Sequence, residues 1–191
     1  MDITCYTDGA CKPNPGIGGW GWVAYVTNKK YDVTDVWYDW GGEQHSTNNV
    51  MELTALSEFF DIIPQGSAVN VWTDSKYAFG GIVNENIPPK TLKSELFPIK
   101  SPPQGWLKGW AQDSVVVKKY TKSYWKRNPI PKNDELWYKI HQRLIRLLSD
   151  GRTKINIGWV KGHNNDPGNE YADMLSNNYP LDKKWKPPLR H

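Results

Sequence analysis

Cysteine is nearly absent from this chain of 191 residues, which has only Cys5 and Cys11, both on one early segment. Two thiols so placed exclude a disulfide framework, and no further Cys or His stands near them at the spacing of a zinc site. A buried or half-buried thiol pair in a reducing compartment is the expectation. Long apolar runs are missing as well: none approaches the roughly 20 residues needed to cross a bilayer, so no membrane partner is expected. The start MDITCYTDGAC lacks the charged-then-apolar layout of a secretory signal. The mature chain is therefore expected to begin near Met1 and to stay in the cytoplasm, or in a host's cytoplasm for a viral source. There is no internal repeat.

What is present suits an ordered globular domain: 38% of residues are hydrophobic and 23% charged. The length fits one domain, expected over residues 1–181 and as a monomer, with an elaboration at 85–132 and a basic tail at 182–191. The net charge of +4 hides an asymmetry. Residues 1–81 hold ten acids against four bases, residues 105–132 seven bases against one acid, and the tail from Asp182 to His191 four bases against one acid. An acidic half beside a basic, aromatic segment suits a protein that holds metal in one place and polyanion in another.

Periodicity predicts strands at 2–7, 20–27 and 32–40, joined by short turns as an antiparallel meander. A helix follows over 47–63, where Leu53, Leu56, Phe59, Phe60 and Ile63 share a face and Pro64 with Gly66 ends the run. A strand at 68–73 feeds a short helix at 75–84. The proline-rich stretch 85–132 shows no readable pattern beyond an apolar Val115–Val117. Beyond it come an amphipathic helix at 133–150 capped by Asn133 or Asp134, a strand at 154–160, a loop at 162–167 and a helix at 168–178. This order predicts a mixed α/β sheet flanked by helices.

Four acids stand out. Asp8 is expected at the end of the first strand, Glu52 in the first turns of the first long helix, Asp74 at the end of the fourth strand and Asp173 on the last helix. Each has an ordinary structural use as turn former, dipole partner, N-cap or solvated helix face. Together they mean more, because strands one and four become neighbours if the crossover helix returns beside strand one. Carboxylates that converge in this way repel one another unless divalent cations neutralise them. Oxygen ligands suit Mg²⁺ or Mn²⁺ better than zinc.

The segments YTDGACKPNPGIGGWGWV, STNNVMELTAL, VWTDSKYAFGGI and WVKGHNNDPGNEYAD resemble, in order and spacing, the four motif blocks of the type 1 ribonuclease H family. The resemblance spans residues 2–84 and 133–178. It implies a five-stranded mixed sheet with helices on both sides, and an endonuclease that cuts the RNA strand of an RNA·DNA hybrid, leaving 5′-phosphate and 3′-hydroxyl ends. It implies two Mg²⁺ ions, with Mn²⁺ able to substitute, roughly 4 Å apart for an in-line displacement. By the same resemblance Asp8, Glu52, Asp74 and Asp173 are metal-binding carboxylates, and His163 is the loop histidine associated with proton transfer or product release.

A hybrid-specific enzyme must sense 2′-hydroxyls from the minor groove. Asn14, Asn48 and Asn49 match the family's minor-groove positions, with Cys11 and Lys76 beside them; the asparagines also serve as turn and cap formers. Thr47 and Asn133 match positions that hold a phosphate of the DNA strand. Where some relatives place an arginine in that pocket, this chain has His45. The connection 85–132 is longer than in relatives with a basic protrusion. There Trp106, Trp110, Tyr120, Tyr124 and Trp125 interleave with Lys108, Lys118, Lys119, Lys122, Lys126 and Arg127, a composition for phosphate contact and stacking, or for a solvated excursion with a small core of its own. Two other readings stay open: a catalytically silent nucleic-acid-binding module, which usually lacks one or more of the four carboxylates, and the ribonuclease H portion of a reverse transcriptase.

Overall fold

The computed structural model describes residues 1–84, 95–99, 133–162 and 165–178. Strands β1 (Asp2–Cys11), β2 (Gly16–Thr27) and β3 (Val33–Ser46) form the antiparallel meander. Helix α1 (Asn48–Ile62) crosses over to β4 (Ala68–Thr73), which lies parallel to β1. A single turn α2 (Lys76–Phe79) continues into a wider π-helical turn at Gly80–Asn84. Strand β5 (Leu96–Pro98), helix α3 (Asp134–Leu148), strand β6 (Lys154–Trp159) and helix α4 (Pro167–Ser176) complete the described elements.

The sheet runs β3-β2-β1-β4-β6-β5, six strands rather than the five expected. The sixth is β5, which pairs antiparallel to β6 at the sheet edge inside the stretch that showed no pattern. Three residues ending in Pro98 carry no alternation to read, and an edge is where a proline fits a sheet. The meander strands are also longer than expected. Strand β1 does not stop at Thr7 but stays paired with β2 as far as Cys11, and β3 runs on to Ser46. Val115–Val117 lies outside the described residues.

Alternation along the strands sorts the two faces. Ile3, Cys5, Trp22, Ala24, Val26, Val69, Val71, Ile155 and Ile157 point into the main core, where α1 and α3 cover them with Leu53, Leu56, Phe59, Phe60, Trp137, Ile140, Leu144 and Leu147. Helix α1 lies between the sheet and α3, so its buried residues occupy more than one face. Full burial of each such large side chain contributes roughly 1.5–3 kcal/mol. On the opposite face Val23 packs with Tyr171 and Leu175 of α4, rimmed by Tyr6, Tyr25, Tyr38 and Trp40. Both cysteines are buried and unpaired, as expected. The centre of the sheet, where the connections leave β1 in one direction and β4 in the other, is the usual place for a ligand crevice at the carboxyl ends of the strands.

Candidate functional site

Strands β1 and β4 run in parallel register from Asp2↔Ala68 to Thr7↔Thr73. The next residue of each is an acid, so Asp8 and Asp74 emerge side by side where that pairing ends. Asp8 stays in β1, opposite Gly21 of β2. After Thr73 the backbone leaves the sheet, and Ser75, not Asp74, caps the following turn by accepting from Ala78 N–H at 3.2 Å. Asp74 is fixed from β6, since Trp159 Nε1 donates to its carbonyl at 2.8 Å.

Glu52 arrives from α1. Thr47 is that helix's N-cap, its hydroxyl accepting from Val50 N–H at 3.3 Å. Helix and strand meet closely at Gly9: a Cβ there would overlap the backbone of Met51 and Glu52. Glycine at this position lets the second turn of α1 reach β1, and its N–H hydrogen-bonds the Glu52 carboxylate.

Asp8, Glu52 and Asp74 thus each offer an oxygen to one group in which the ligand atoms all lie within 4.8 Å of one another. Burial, reinforced by Asp8 and Asp74, pushes the Glu52 carboxyl well above its ordinary value, against the smaller lowering effect of Gly9 N–H. Its Oε2 is buried without a hydrogen-bond partner. At such spacing two like charges cost about 4 kcal/mol at an effective dielectric of 20, and an unsatisfied buried oxygen adds to that. The donor set is all carboxylate oxygen, so the residues fit a hard divalent cation.

Asp173, expected as a fourth member, is not part of this group. It sits on α4, where its Oδ1 accepts from Asn177 Nδ2 at 3.0 Å. Its helix nevertheless reaches the site, because Ser176, one turn further on, donates to Asp8 Oδ2. His163 lies outside the described residues. The preceding Gly162 lies against the site, since a Cβ on it would be 2.6 Å from Asp74 Oδ2.

The expected nucleic-acid positions separate into three sets. Asn14, Asn48 and Asn49 are exposed at the start of α1, and Asn14 Oδ1 accepts from Asn48 N–H at 3.3 Å. Thr47 adjoins them, and His45 is exposed near the end of β3. Lys76 is exposed with its Nζ 5.3 Å above the Trp159 ring. Asn133 precedes α3 in a left-handed conformation, φ 65°, and makes no side-chain cap; its Nδ2 donates to Tyr77 Oη at 3.4 Å instead. Cys11 differs from the others: it is 4% exposed and its thiol faces the carbonyls of Pro13, Gly16 and Ser46 at 3.2–3.3 Å. Trp106, Trp110, Lys118, Lys119, Lys122, Trp125, Lys126 and Arg127 lie outside the described residues.

Sequence reasoning missed Gly9, Trp159 and Ser176. The first two sit inside the TDGA and WVKGH segments and could have been read as partners of the acids. Ser176 had only its one-turn spacing from Asp173 as a signal.

Sheet order and carboxylate group together define an α/β protein with an acidic group fit for a divalent cation at the ends of two parallel strands. The chain belongs to the RNase H family, whose profile matches residues 1–179. It is 35% identical over 178 residues to a ribonuclease H of Albidiferax ferrireducens, covering 92% of this chain and 91% of that one. It is 34% identical over 178 residues to ribonuclease HI of Caulobacter vibrioides, covering 92% and 90%. Among solved structures it resembles LC9-RNase H1, described as a type 1 RNase H with the type 2 active-site motif. That match has a TM-score of 0.60 at 21% identity, over 92% of this chain and 70% of the other. The N-terminal RNase H domain of a Mycobacterium tuberculosis protein aligns with a TM-score of 0.53 at 19% identity, over 93% and 92%. These two likenesses bear on the fold.

Proposed function

We propose that this protein is a hydrolase that cuts the RNA strand of RNA·DNA hybrids at the Asp8–Glu52–Asp74 group. The observation that carries the reading is the convergence of three carboxylates, from β1, from α1 and from just past β4, within 4.8 Å in a chain of this family. Asp8, Glu52 and Asp74 would hold divalent metal, Mg²⁺ with Mn²⁺ able to substitute, and Asp173 on α4 would complete a site for two ions. Bound there, the ions supply charge stabilisation for an in-line displacement at phosphorus.

The chain's own residues do the rest. Gly9 N–H and the hydrogen bond from Trp159 hold two of the acids in place before substrate arrives. His163, following Gly162 beside Asp74, would carry a proton to or from the reacting oxygens. The exposed amides of Asn14, Asn48 and Asn49 suit 2′-hydroxyls and base edges in the minor groove. Thr47, Asn133 and His45 would hold a phosphate of the DNA strand, with Lys76 alongside. Cys11, enclosed by carbonyls, would shape the loop that presents Asn14. Trp106, Trp110, Lys118, Lys119, Lys122, Trp125, Lys126 and Arg127 would bind the hybrid's backbone. We read residues 1–181 as one catalytic domain acting as a monomer in the cytoplasm, with 182–191 as a basic tail. No helix among the described residues is long and apolar enough to cross a membrane.

The test is cleavage of labelled RNA·DNA, RNA·RNA and DNA·DNA duplexes with Mg²⁺, Mn²⁺ or EDTA. RNA cut in the hybrid alone, and never in EDTA, is the expected result. Hybrid binding without cleavage in either metal would favour a silent module instead.

A further inference from the structure

Ser176 is a neighbour of the carboxylate group that no motif pointed to. It is 1% exposed and lies at the end of α4, where its hydroxyl donates to Asp8 Oδ2. The same oxygen stands 2.9 Å from the Asp173 carbonyl. A serine has one hydroxyl proton, and two observations direct it to Asp8. The Asp173 carbonyl already accepts from Asn177 N–H at 3.0 Å and Asn177 Nδ2 at 2.8 Å. A carboxylate is also the stronger acceptor.

The approach of α4 is built into the sheet. The residue opposite Asp8 in the β1–β2 register is Gly21. A Cβ on Gly21 would overlap Leu175 Cβ and stand 2.8 Å from Ser176 N. Glycine here lets the last turn of α4 lie on β2 directly beside Asp8, and this places the hydroxyl within reach.

We propose that Ser176 is a positioning residue that fixes the Asp8 carboxylate for divalent-cation binding and ties the α4 turn bearing Asp173 to the metal group. The proposal rests on the reading of Asp8, Glu52 and Asp74 as a cation site. Asp8 emerges among two other acids that repel it, and one strong hydrogen bond selects a single orientation of its carboxylate before the cation arrives. Partners that orient metal ligands in this way typically change affinity about 10–100-fold when removed.

The test is Mn²⁺ binding to the full chain without nucleic acid, read from the electron paramagnetic resonance of the free ion, for wild type, Ser176→Ala, Ser176→Thr and Asp74→Asn. Alanine is the better helix former, so Ser176→Ala keeps α4. We expect its Mn²⁺ Kd to rise about tenfold, Ser176→Thr to keep the wild-type value because the hydroxyl is restored, and the metal dependence of hybrid cleavage to shift by the same factor. A wild-type Kd in Ser176→Ala, with Asp74→Asn binding poorly, overturns the positioning role and leaves the metal site standing. Equal weakening in Ser176→Ala and Ser176→Thr also overturns it, since the hydroxyl would not be the cause. Equal Mn²⁺ binding by wild type and Asp74→Asn, or none by wild type, removes the metal site and the proposal with it.

Discussion

The two ends of helix α1 carry acids in opposite circumstances. Near its C-terminus Glu58 and Asp61 meet α3, where Arg143 donates to Glu58 at 3.2 Å and to Ser57 at 2.6 Å, and ion-pairs with Asp61 at 3.2 Å. Arg146 adds a second contact to Asp61 at 3.4 Å. Near its N-terminus Glu52 meets Asp8 and Asp74, and its Oε2 has no hydrogen-bond partner. One helix thus carries acids met by arginines at one end and an acid that faces other acids at the opposite end. The first arrangement joins two helices; the second is costly for the fold alone and fits a divalent cation that would offset the cost.

Breaking the N-terminal arrangement should have the largest effect. Asp74→Asn removes a ligand charge, and turnover on a hybrid in Mg²⁺ should fall by more than the roughly 100-fold upper range for residues that merely orient ligands. Circular dichroism should show an unchanged fold. Near wild-type turnover would mean that Asp74 holds no metal.

Next come the basic residues of 118–127, which the proposed function assigns to the hybrid's backbone. Replacing Lys118, Lys119, Lys122, Lys126 and Arg127 with glutamine should weaken hybrid binding and raise KM with turnover at saturation little changed. The slope of log K against log salt should flatten by somewhat under one unit for each phosphate that is no longer neutralised. Trp125→Ala should weaken binding without changing that slope, since stacking releases few counterions. An unchanged affinity and slope in the quintuple variant would assign this charge to a protein partner.

A smaller effect is expected on the metal-free protein. Glu52 has its folded-state carboxyl well above the ordinary 4.5, so its contribution to stability is fully present below that value. The contribution is lost as pH rises, until the folded-state value is passed, by about 1.4 kcal/mol for each pH unit. Buried His141, held below its ordinary 6.5, acts oppositely as pH falls through that value. Melting curves in EDTA compared between wild type and Glu52→Gln isolate the carboxyl: the variant should be the more stable at neutral pH and lose that advantage towards pH 4.5. A pH-independent difference would contradict the burial argument.

Arg143→Ala should act least. Glu58 and Asp61 are partly exposed and recover water, so the cost should be about 1.5 kcal/mol, the low end for hydrogen bonds to charged groups. A drop of a few degrees in Tm is expected, with metal dependence of cleavage unchanged. If that dependence moved, the two ends of α1 would not be independent.

Much of the site is legible in the amino-acid sequence. Element order makes strands one and four neighbours if the crossover helix returns beside strand one, as it does, and this places Asp8 beside Asp74. The position of Asp8 inside β1 does not follow, because β2 prolongs the pairing through Gly18, Gly19 and Gly21, which carry no hydrophobic alternation. Asn133 has the look of a cap, yet its amide goes to Tyr77, far away in the chain but adjacent in space. Ser176 is out of reach for a related reason: a hydroxyl on a helix says nothing of which strand it faces, and that is decided by a missing side chain at Gly21. Asn14 and Asn48 carry turn and cap signals, yet the contact between them joins residues 34 apart and follows from no local rule.

The most direct test of the cation site is anomalous scattering from crystals of the full chain grown with Mn²⁺. The expected result is anomalous density enclosed by the Asp8, Glu52 and Asp74 carboxylates and absent in Asp74→Asn. Well-occupied Mn²⁺ elsewhere, with no density between these three carboxylates, would contradict it.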